Sequence, residues 1–186
     1  MKISQKLVAT ALALTACVAS AGNVAPLGLE LGVATLESVQ KSIGVKTALS
    51  RAGTNRYTRG PMLAAHGDGI NVKDLSDVIF IFDTGGILRA VVMYFPNGEG
   101  TRGGRVATFR KAMNALAAQY TLVEKRMPTV GDSYARFKQG NAIIELEAPR
   151  YEFDMTLRYM TIELQDAFNN QTSMETQPAK TQSGPG

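Results

Sequence analysis

The sequence predicts an α+β fold, with antiparallel sheet structure and helices packed on one side of it. Two apolar runs, at 78–82 and 87–95, flank the glycine-rich segment 83–86, which is typical of two antiparallel strands joined by a tight turn. The predicted strands occur in runs and do not alternate with helices, which favours α+β over a parallel sheet. The chain has a single cysteine, so its apolar core must stabilise the fold without disulfides.

A first strand and a first helix are predicted near the start of the folded region. Alternating apolar positions at 27–31 indicate the strand. Thr35 is a suitable N-cap for the helix, Glu37 complements the helix dipole in the first turn, and Gly44 fits the position after the last turn. The apolar side of this helix consists of Leu36, Val39 and Ile43.

The segment between this helix and the hairpin has few regular patterns. Apolar residues alternate at 45–49 and predict a second strand. Residues 50–76 contain repeated glycines, and we expect one strand near 57–63 with loops around it. The first arm of the hairpin, 78–82, is apolar at every position, which predicts a central strand covered on both faces.

The second half of the chain has the same kinds of element. A helix at about 107–119 has an apolar stripe made of Phe109, Met113, Leu116 and Tyr120. Alternation predicts four more strands, at 120–125, 134–138, 142–147 and 153–159. Thr161 is a suitable N-cap for a closing helix that carries Leu164 and Phe168.

These elements predict one compact domain over residues 22–170. Its two parts, about 27–97 and 105–168, share the order helix, strand and hairpin, which indicates two tandem units. Residues 171–186 are rich in Thr, Gln, Ser, Pro and Gly and have no apolar period, so we expect a disordered tail.

The first 21 residues are typical of a bacterial export signal. Lys2 and Lys6 precede an apolar run at 7–16 that is too short to span a bilayer. Small residues before Gly22 form a good signal-peptidase site, so that residues 1–21 are the expected signal peptide. Cleavage after Ala21 would release the protein into the periplasm.

The same segment also contains a lipobox, Leu14-Thr15-Ala16-Cys17. In this second interpretation residues 1–16 are removed, and Cys17 is lipidated and anchors an outer-membrane lipoprotein. Val18, and not aspartate, follows the cysteine, which favours the outer membrane. Both interpretations place the protein outside the cytoplasm.

The overall charge narrows the choice of partners. The chain has 20 Lys and Arg residues against 16 Asp and Glu residues, and two of the lysines lie in the export signal. Such a balance gives no reason to expect a nucleic-acid partner. No stretch is long and apolar enough to predict a transmembrane span. Peripheral membrane association and the oligomeric state are left open.

A glycine motif between a strand and a helix resembles a dinucleotide site. Gly98, Gly100 and Gly103 have the spacing of that fingerprint, and Glu124 follows about 20 residues later. However, the preceding strand is already paired in a hairpin, no further βα units follow, and export removes the protein from NAD. We therefore interpret the motif as a flexible loop and expect no cofactor.

Two further motifs have catalytic counterparts. Asp83-Thr84-Gly85 is similar to the active-site turn of aspartic proteases, but Asp and Gly also favour an ordinary hairpin turn. His66 and Asp68 could form a base with an orienting carboxylate. A small hydrolase would need His66, Asp68 or Asp83 to converge in a cleft with Tyr57 or Arg59.

No residue is assigned to catalysis by these patterns. With one histidine and one cysteine in the chain, we also expect no metal site. The basic residues Arg102, Arg105, Arg110 and Lys111 form a run without an intervening acid. They are the candidate contacts for an anionic partner, such as lipid head groups, lipopolysaccharide or an acidic protein surface, with an ordinary solvated helix face as the alternative.

Residues 31–44, LGVATLESVQKSIG, resemble the opening segment of small exported α+β domains. These include the BamE (SmpA/OmlA-like) outer-membrane assembly lipoproteins and proteins of the β-lactamase-inhibitor-protein fold. The resemblance implies a glycine-led helix on an antiparallel sheet, which the tandem form repeats twice. It also implies a domain that binds proteins and has no catalytic activity.

Together these observations favour an exported envelope protein that binds another protein or an envelope component without catalysis. The alternatives are a small periplasmic hydrolase that acts on peptide or cell-wall substrates, and an inhibitor of an exported enzyme.

Overall fold

The strands of the structure form one antiparallel sheet. The computed structural model describes residues 23–97, 102–128 and 130–176, with only the backbone described at 102 and 171–176. In this part of the chain the helices are α1 (Leu36–Ile43), α2 (Arg102–Ala117) and α3 (Ile162–Thr176). The strands are β1 (Ser50–Thr54), β2 (Arg59–His66), β3 (Asp77–Asp83), β4 (Leu88–Pro96), β5 (Thr121–Arg126), β6 (Ser133–Gln139), β7 (Ala142–Ala148) and β8 (Asp154–Thr161). The α+β class is thereby confirmed.

The order of the eight strands across the sheet is β1-β2-β3-β4-β8-β7-β6-β5. Every neighbouring pair is antiparallel. Strands β4 and β8 pair at the centre over seven residue positions, from Ala90↔Met160 to Pro96↔Asp154. Along the chain, a helix followed by four strands therefore occurs twice, and the last strand of each set lies in the middle of the sheet.

One face of the sheet carries the apolar core. We call it the core face. Its strand residues pack in one cluster with the apolar sides of α1 and α2, whose buried members include Val39 and Phe109. The largest fully buried side chains are Phe80, Phe82, Phe109, Phe137, Leu31 and Ile43. Burial of this apolar surface stabilises the fold, since a chain with one cysteine cannot form an internal disulfide.

Helix α1 begins and ends where the sequence predicts. Thr35 is its N-cap and forms a capping box with Ser38, since each backbone N–H is bonded to the other residue's hydroxyl. Gly32 adopts a positive φ of 79° and donates its N–H to the carbonyl of Leu88 at 2.8 Å. The segment before the helix is thereby fixed to the start of β4.

The central hairpin and the second half of the sheet are also confirmed, but the prediction that the first arm is covered on both faces was wrong, since Ile79 and Ile81 on the face opposite the core remain partly exposed. Strands β3 and β4 pair around the turn after Asp83. The last two predicted hairpin arms correspond to β6 and β7, and Thr161 caps α3 by accepting a hydrogen bond from Leu164 N–H at 3.4 Å. The predicted stripe of α2 is buried at Phe109, Met113 and Leu116.

Two predicted strands were wrong. Residues 27–31 contain a 3-10 turn over Pro26–Gly28, because Leu27 and Gly28 have left-handed backbone conformations. The alternation of apolar residues at 27–31 arises because Leu29 and Leu31 are buried in an irregular segment. Residues 45–49 form turns, and the strand begins only at Ser50.

Helix α3 departs from the predicted packing on one side of the sheet. Its Leu164, Gln165 and Phe168 border a cavity together with side chains of Ile81 and Val92, which alternate with the core residues and therefore lie on the opposite face. The backbone of α3 continues to Thr176, so it includes the first residues of the predicted disordered tail. Residues 177–186 lie outside the described residues.

Candidate functional site on the open face of the sheet

We call the face opposite the core face the open face. On strands β6 to β8 its outward positions alternate with mostly buried ones, whereas β5 is exposed at every position, and many outward residues of the four strands are charged or aromatic. The residues that form its polar part are Glu124, Arg126, Tyr134, Arg136, Lys138, Glu145, Glu147 and Arg158. We call this set the polar ladder.

Glu145 is the most buried member of the polar ladder. It is 8% exposed, and its Oε1 atom accepts hydrogen bonds from the Tyr134 hydroxyl at 2.6 Å and from Arg136 Nη2 at 2.8 Å. Arg136 Nε donates to the same oxygen at 3.0 Å. A carboxylate with such partners is held in one position, because moving it would leave buried polar groups unpaired.

Charged and aromatic groups extend the ladder across the neighbouring strands. Arg158 Nη1 donates to Glu147 Oε2 at 2.7 Å, across the β7–β8 pair. On the edge side, the Arg126 guanidinium lies 4.8 Å from the centre of the Tyr134 ring. The open face therefore presents alternating positive and negative groups over four strands.

The protonation states of this cluster follow from its packing. Burial raises the pKa of Tyr134, and the hydrogen bond to Glu145 and the charge of that carboxylate raise it further. The pKa of Arg136 is also raised: partial burial is the largest single influence and opposes this, but the hydrogen bond to Glu145 and the further favourable interactions with Glu145 and Tyr134 together outweigh it. Tyr134 is thus a neutral donor and Arg136 a cation at physiological pH.

A largely apolar groove continues the polar ladder beneath α3. Its cavity is about 340 Å³, within the size range of ligand pockets. Tyr57 from the β1–β2 loop and Phe168 from α3 contact each other edge to face, with ring centres 5.3 Å apart, and both line the groove. Its further lining includes Ile81, Ala90, Val92 and Met160, with Glu145, Glu147 and Arg158 at the polar part.

The candidate catalytic residues do not all converge, although Asp83 and Tyr57 line one cavity beside α3. His66 Nδ1 lies 2.7 Å from Asp77 Oδ1, at the cross-strand position where β2 and β3 pair. Asp83 pairs with Arg59 at the other end of the same two strands. Six residues of extended chain separate Asp77 from Asp83, about 20 Å. The two ends therefore cannot supply one catalytic centre.

The carboxylate of Asp83 is hydrogen-bonded within its own hairpin. Its Oδ1 accepts the Ile87 N–H at 2.9 Å, and its Oδ2 accepts Arg89 Nε at 2.9 Å. Partial burial opposes ionisation, but these hydrogen bonds and the Arg89 charge outweigh it, so the pKa of Asp83 is below its ordinary value of 3.8. The Asp-Thr-Gly motif thus serves as a turn in this fold.

The described members of the predicted basic run, Arg105, Arg110 and Lys111, do not share one direction around α2. Arg105 is half-buried beside a cavity of about 110 Å³ that Arg150 also lines, whereas Arg110 and Lys111 are exposed. Arg105 and Arg110 point about 140° apart around α2, from helical geometry. The side chain of Arg102 lies outside the described part.

Several predicted features fall on residues that the structure does not describe. These are the export signal with Cys17, Ala21 and Gly22, and most of the glycine motif at 98–101. Within the described part of the chain, no helix combines the length and apolar character needed to cross a membrane. Nor does any cluster of three or more His, Cys, Asp or Glu residues among the described ranges have the arrangement of a metal site.

The polar ladder was missed by the sequence interpretation, although a signal for it existed. The predicted strands 134–138 and 142–147 have charged or aromatic residues at alternate positions, and a short turn joins them. That turn sets the register of the hairpin, and the register places Arg136 opposite Glu145. Arg158 could not be added in this way, because its pairing depends on a strand from beyond the hairpin.

The chain matches no protein-family model, no curated protein and no solved structure. Its function is therefore inferred from the chemistry and geometry of the open face.

Proposed function

We propose that this chain is an exported, non-enzymatic binding module of the bacterial cell envelope, and that its open face binds a protein or another envelope component. The protein would act in the periplasm after cleavage before Gly22, or at the outer membrane if Cys17 is lipidated. An inhibitor of an exported enzyme would be one form of such a module.

The observation that carries this proposal is the polar ladder. Interfaces use charges for specificity, and charges are most effective when they are already held in place before binding. Glu145 and Arg136 are held in this way by short hydrogen bonds, while Lys138 beside them is exposed. The groove under α3 adds apolar area next to these charges, a combination found in protein interfaces.

Two features of the sequence support the same proposal. The predicted export signal would bring the chain among envelope components, and residues 31–44 resemble domains that bind proteins. We also propose that the two sets of one helix and four strands arose as tandem units, because each set contributes its last strand to the centre of the sheet. Such pairing produces one wide face from two small sheets.

Site-specific photo-crosslinking in living cells tests the proposal. A benzoylphenylalanine residue replaces Lys138, which lies on β6 in the polar ladder. The comparison position is Lys111, an exposed lysine of the basic run on α2 at the opposite side of the sheet, so that an adduct there would favour the basic run as the contact. We expect a discrete covalent adduct from position 138 and none from position 111.

The pattern of adducts decides the outcome. No adduct at position 138, or equal adducts at both positions, would contradict binding through the open face. Mass spectrometry of a specific adduct identifies the partner as a protein or as a lipid-containing component.

A further inference from the structure

The loop between β7 and β8 exposes two aromatic side chains. Tyr151 is 84% exposed and Phe153 is 92% exposed. We call residues 149–153 the aromatic loop. Burying an aromatic side chain contributes about 1.5–3 kcal/mol, so a fold that leaves two of them in water forgoes a considerable stabilisation. Exposed apolar groups of this size mark interaction sites when they lie together.

The backbone of the aromatic loop is fixed from beneath by Asn97. This residue is 1% exposed, and its side-chain Nδ2 donates to the carbonyls of Pro149 at 2.8 Å and Glu152 at 3.3 Å. Its backbone N–H donates to the carbonyl of Phe153 at 2.6 Å. The loop therefore presents its aromatic rings from a defined backbone, and little conformational entropy is lost when they are buried by a partner.

Further contacts orient the loop and its charges. Arg150 N–H donates to Asp132 Oδ1 at 2.8 Å, and the Arg150 guanidinium lies 5.0 Å from the centre of the Tyr151 ring. Tyr and Arg are enriched at the energetic centres of protein interfaces. Val130, 64% exposed, shares with Arg150 the lining of the small cavity beside the loop.

The charges around the loop favour a protein over a membrane. Arg150 and Arg105 line one cavity, Asp132 accepts a hydrogen bond from Arg150 N–H, and the neighbouring Glu152 and Asp154 are exposed. Both signs of charge are therefore present around the loop. Anionic head groups would be repelled by the three carboxylates, whereas a protein surface can match both signs.

We propose that the aromatic loop is a second contact of this binding module, which inserts Tyr151 and Phe153 into an apolar pocket of a protein partner whose rim carries a carboxylate for Arg150. The inference rests on the proposed function, because it assumes that the partner bound at the polar ladder also binds at this end of the sheet.

The test begins with benzoylphenylalanine in place of Phe153, compared with the same residue in place of Val45, which is 80% exposed in the loop after α1. We expect a protein adduct from position 153 and none from position 45. With the purified partner, Tyr151→Ala and Phe153→Ala should each weaken binding at least 10-fold, and Val45→Ala should leave the affinity unchanged. Thermal unfolding of the three variants should be as in the unsubstituted protein.

Each other outcome has a definite meaning. An adduct at position 138 without one at 153 overturns the role of the loop and leaves the proposed function standing, whereas no adduct at either position overturns both. Unchanged affinity of both aromatic variants, or a loss of thermal stability in them, also overturns the inference. The inference is also overturned if the protein sediments with phosphatidylethanolamine–phosphatidylglycerol vesicles and Phe153→Ala abolishes this sedimentation. That result would mean that the loop binds a membrane.

Discussion

Asp83 lies in a motif that protease active sites share with ordinary hairpin turns. Its neighbours along the chain match a protease motif, but its oxygens accept hydrogen bonds from Ile87 and Arg89. Both bonds are to the ionised form, so ionisation of Asp83 stabilises the folded state relative to the unfolded chain.

Asp83→Asn should therefore destabilise the fold in a pH-dependent manner. Because the folded pKa lies below the ordinary value of 3.8, the stabilisation is complete above that value and is lost as the pH falls through the folded pKa. At pH 7 we expect a loss of about 1–2 kcal/mol in the free energy of unfolding, measured by urea denaturation. At pH 3 the difference between the two proteins should be smaller. An equal loss at both pH values would contradict this account.

The helices and strands that could be predicted are those whose signal is local. The capping box of α1 and the apolar arms of β3 and β4 lie within short windows of sequence, and the structure has them at the expected positions. Strand β1 was missed because its residues are mainly exposed and lack apolar alternation. The strand predicted at 27–31 was wrong, because the left-handed backbone at Leu27 forms a turn even though Leu29 and Leu31 are buried as the alternation indicates.

Thr35→Ala tests the most local of these signals. The substitution removes the hydroxyl that accepts the Ser38 N–H, and a lost N-cap costs about 1 kcal/mol in the free energy of unfolding. Urea denaturation at pH 7 measures the change. Ser42→Ala, on the exposed side of α1, is the control and should leave the stability within about 0.5 kcal/mol. Similar stabilities of the two variants would show that the cap is not stabilising.

At the scale of the molecule, the proposed binding surface arises from strand pairing that no single segment encodes. The polar ladder combines groups from four strands, and its register depends on β8 returning to the centre of the sheet. Local patterns can show that Arg136 and Glu145 point outward and face each other in the β6–β7 hairpin, but only the complete sheet places Arg158 beside them. This is why sequence analysis found the fold class and missed the site.

Binding through the open face is tested most sharply by the affinity of charge-reversal variants for the purified partner that crosslinks at position 138. Lys138→Glu changes an exposed member of the polar ladder, and Lys111→Glu makes the same change on α2. We predict at least 10-fold weaker binding for Lys138→Glu and unchanged binding for Lys111→Glu, with equal urea stability of both variants. Equal affinities of the two variants would contradict binding through the open face.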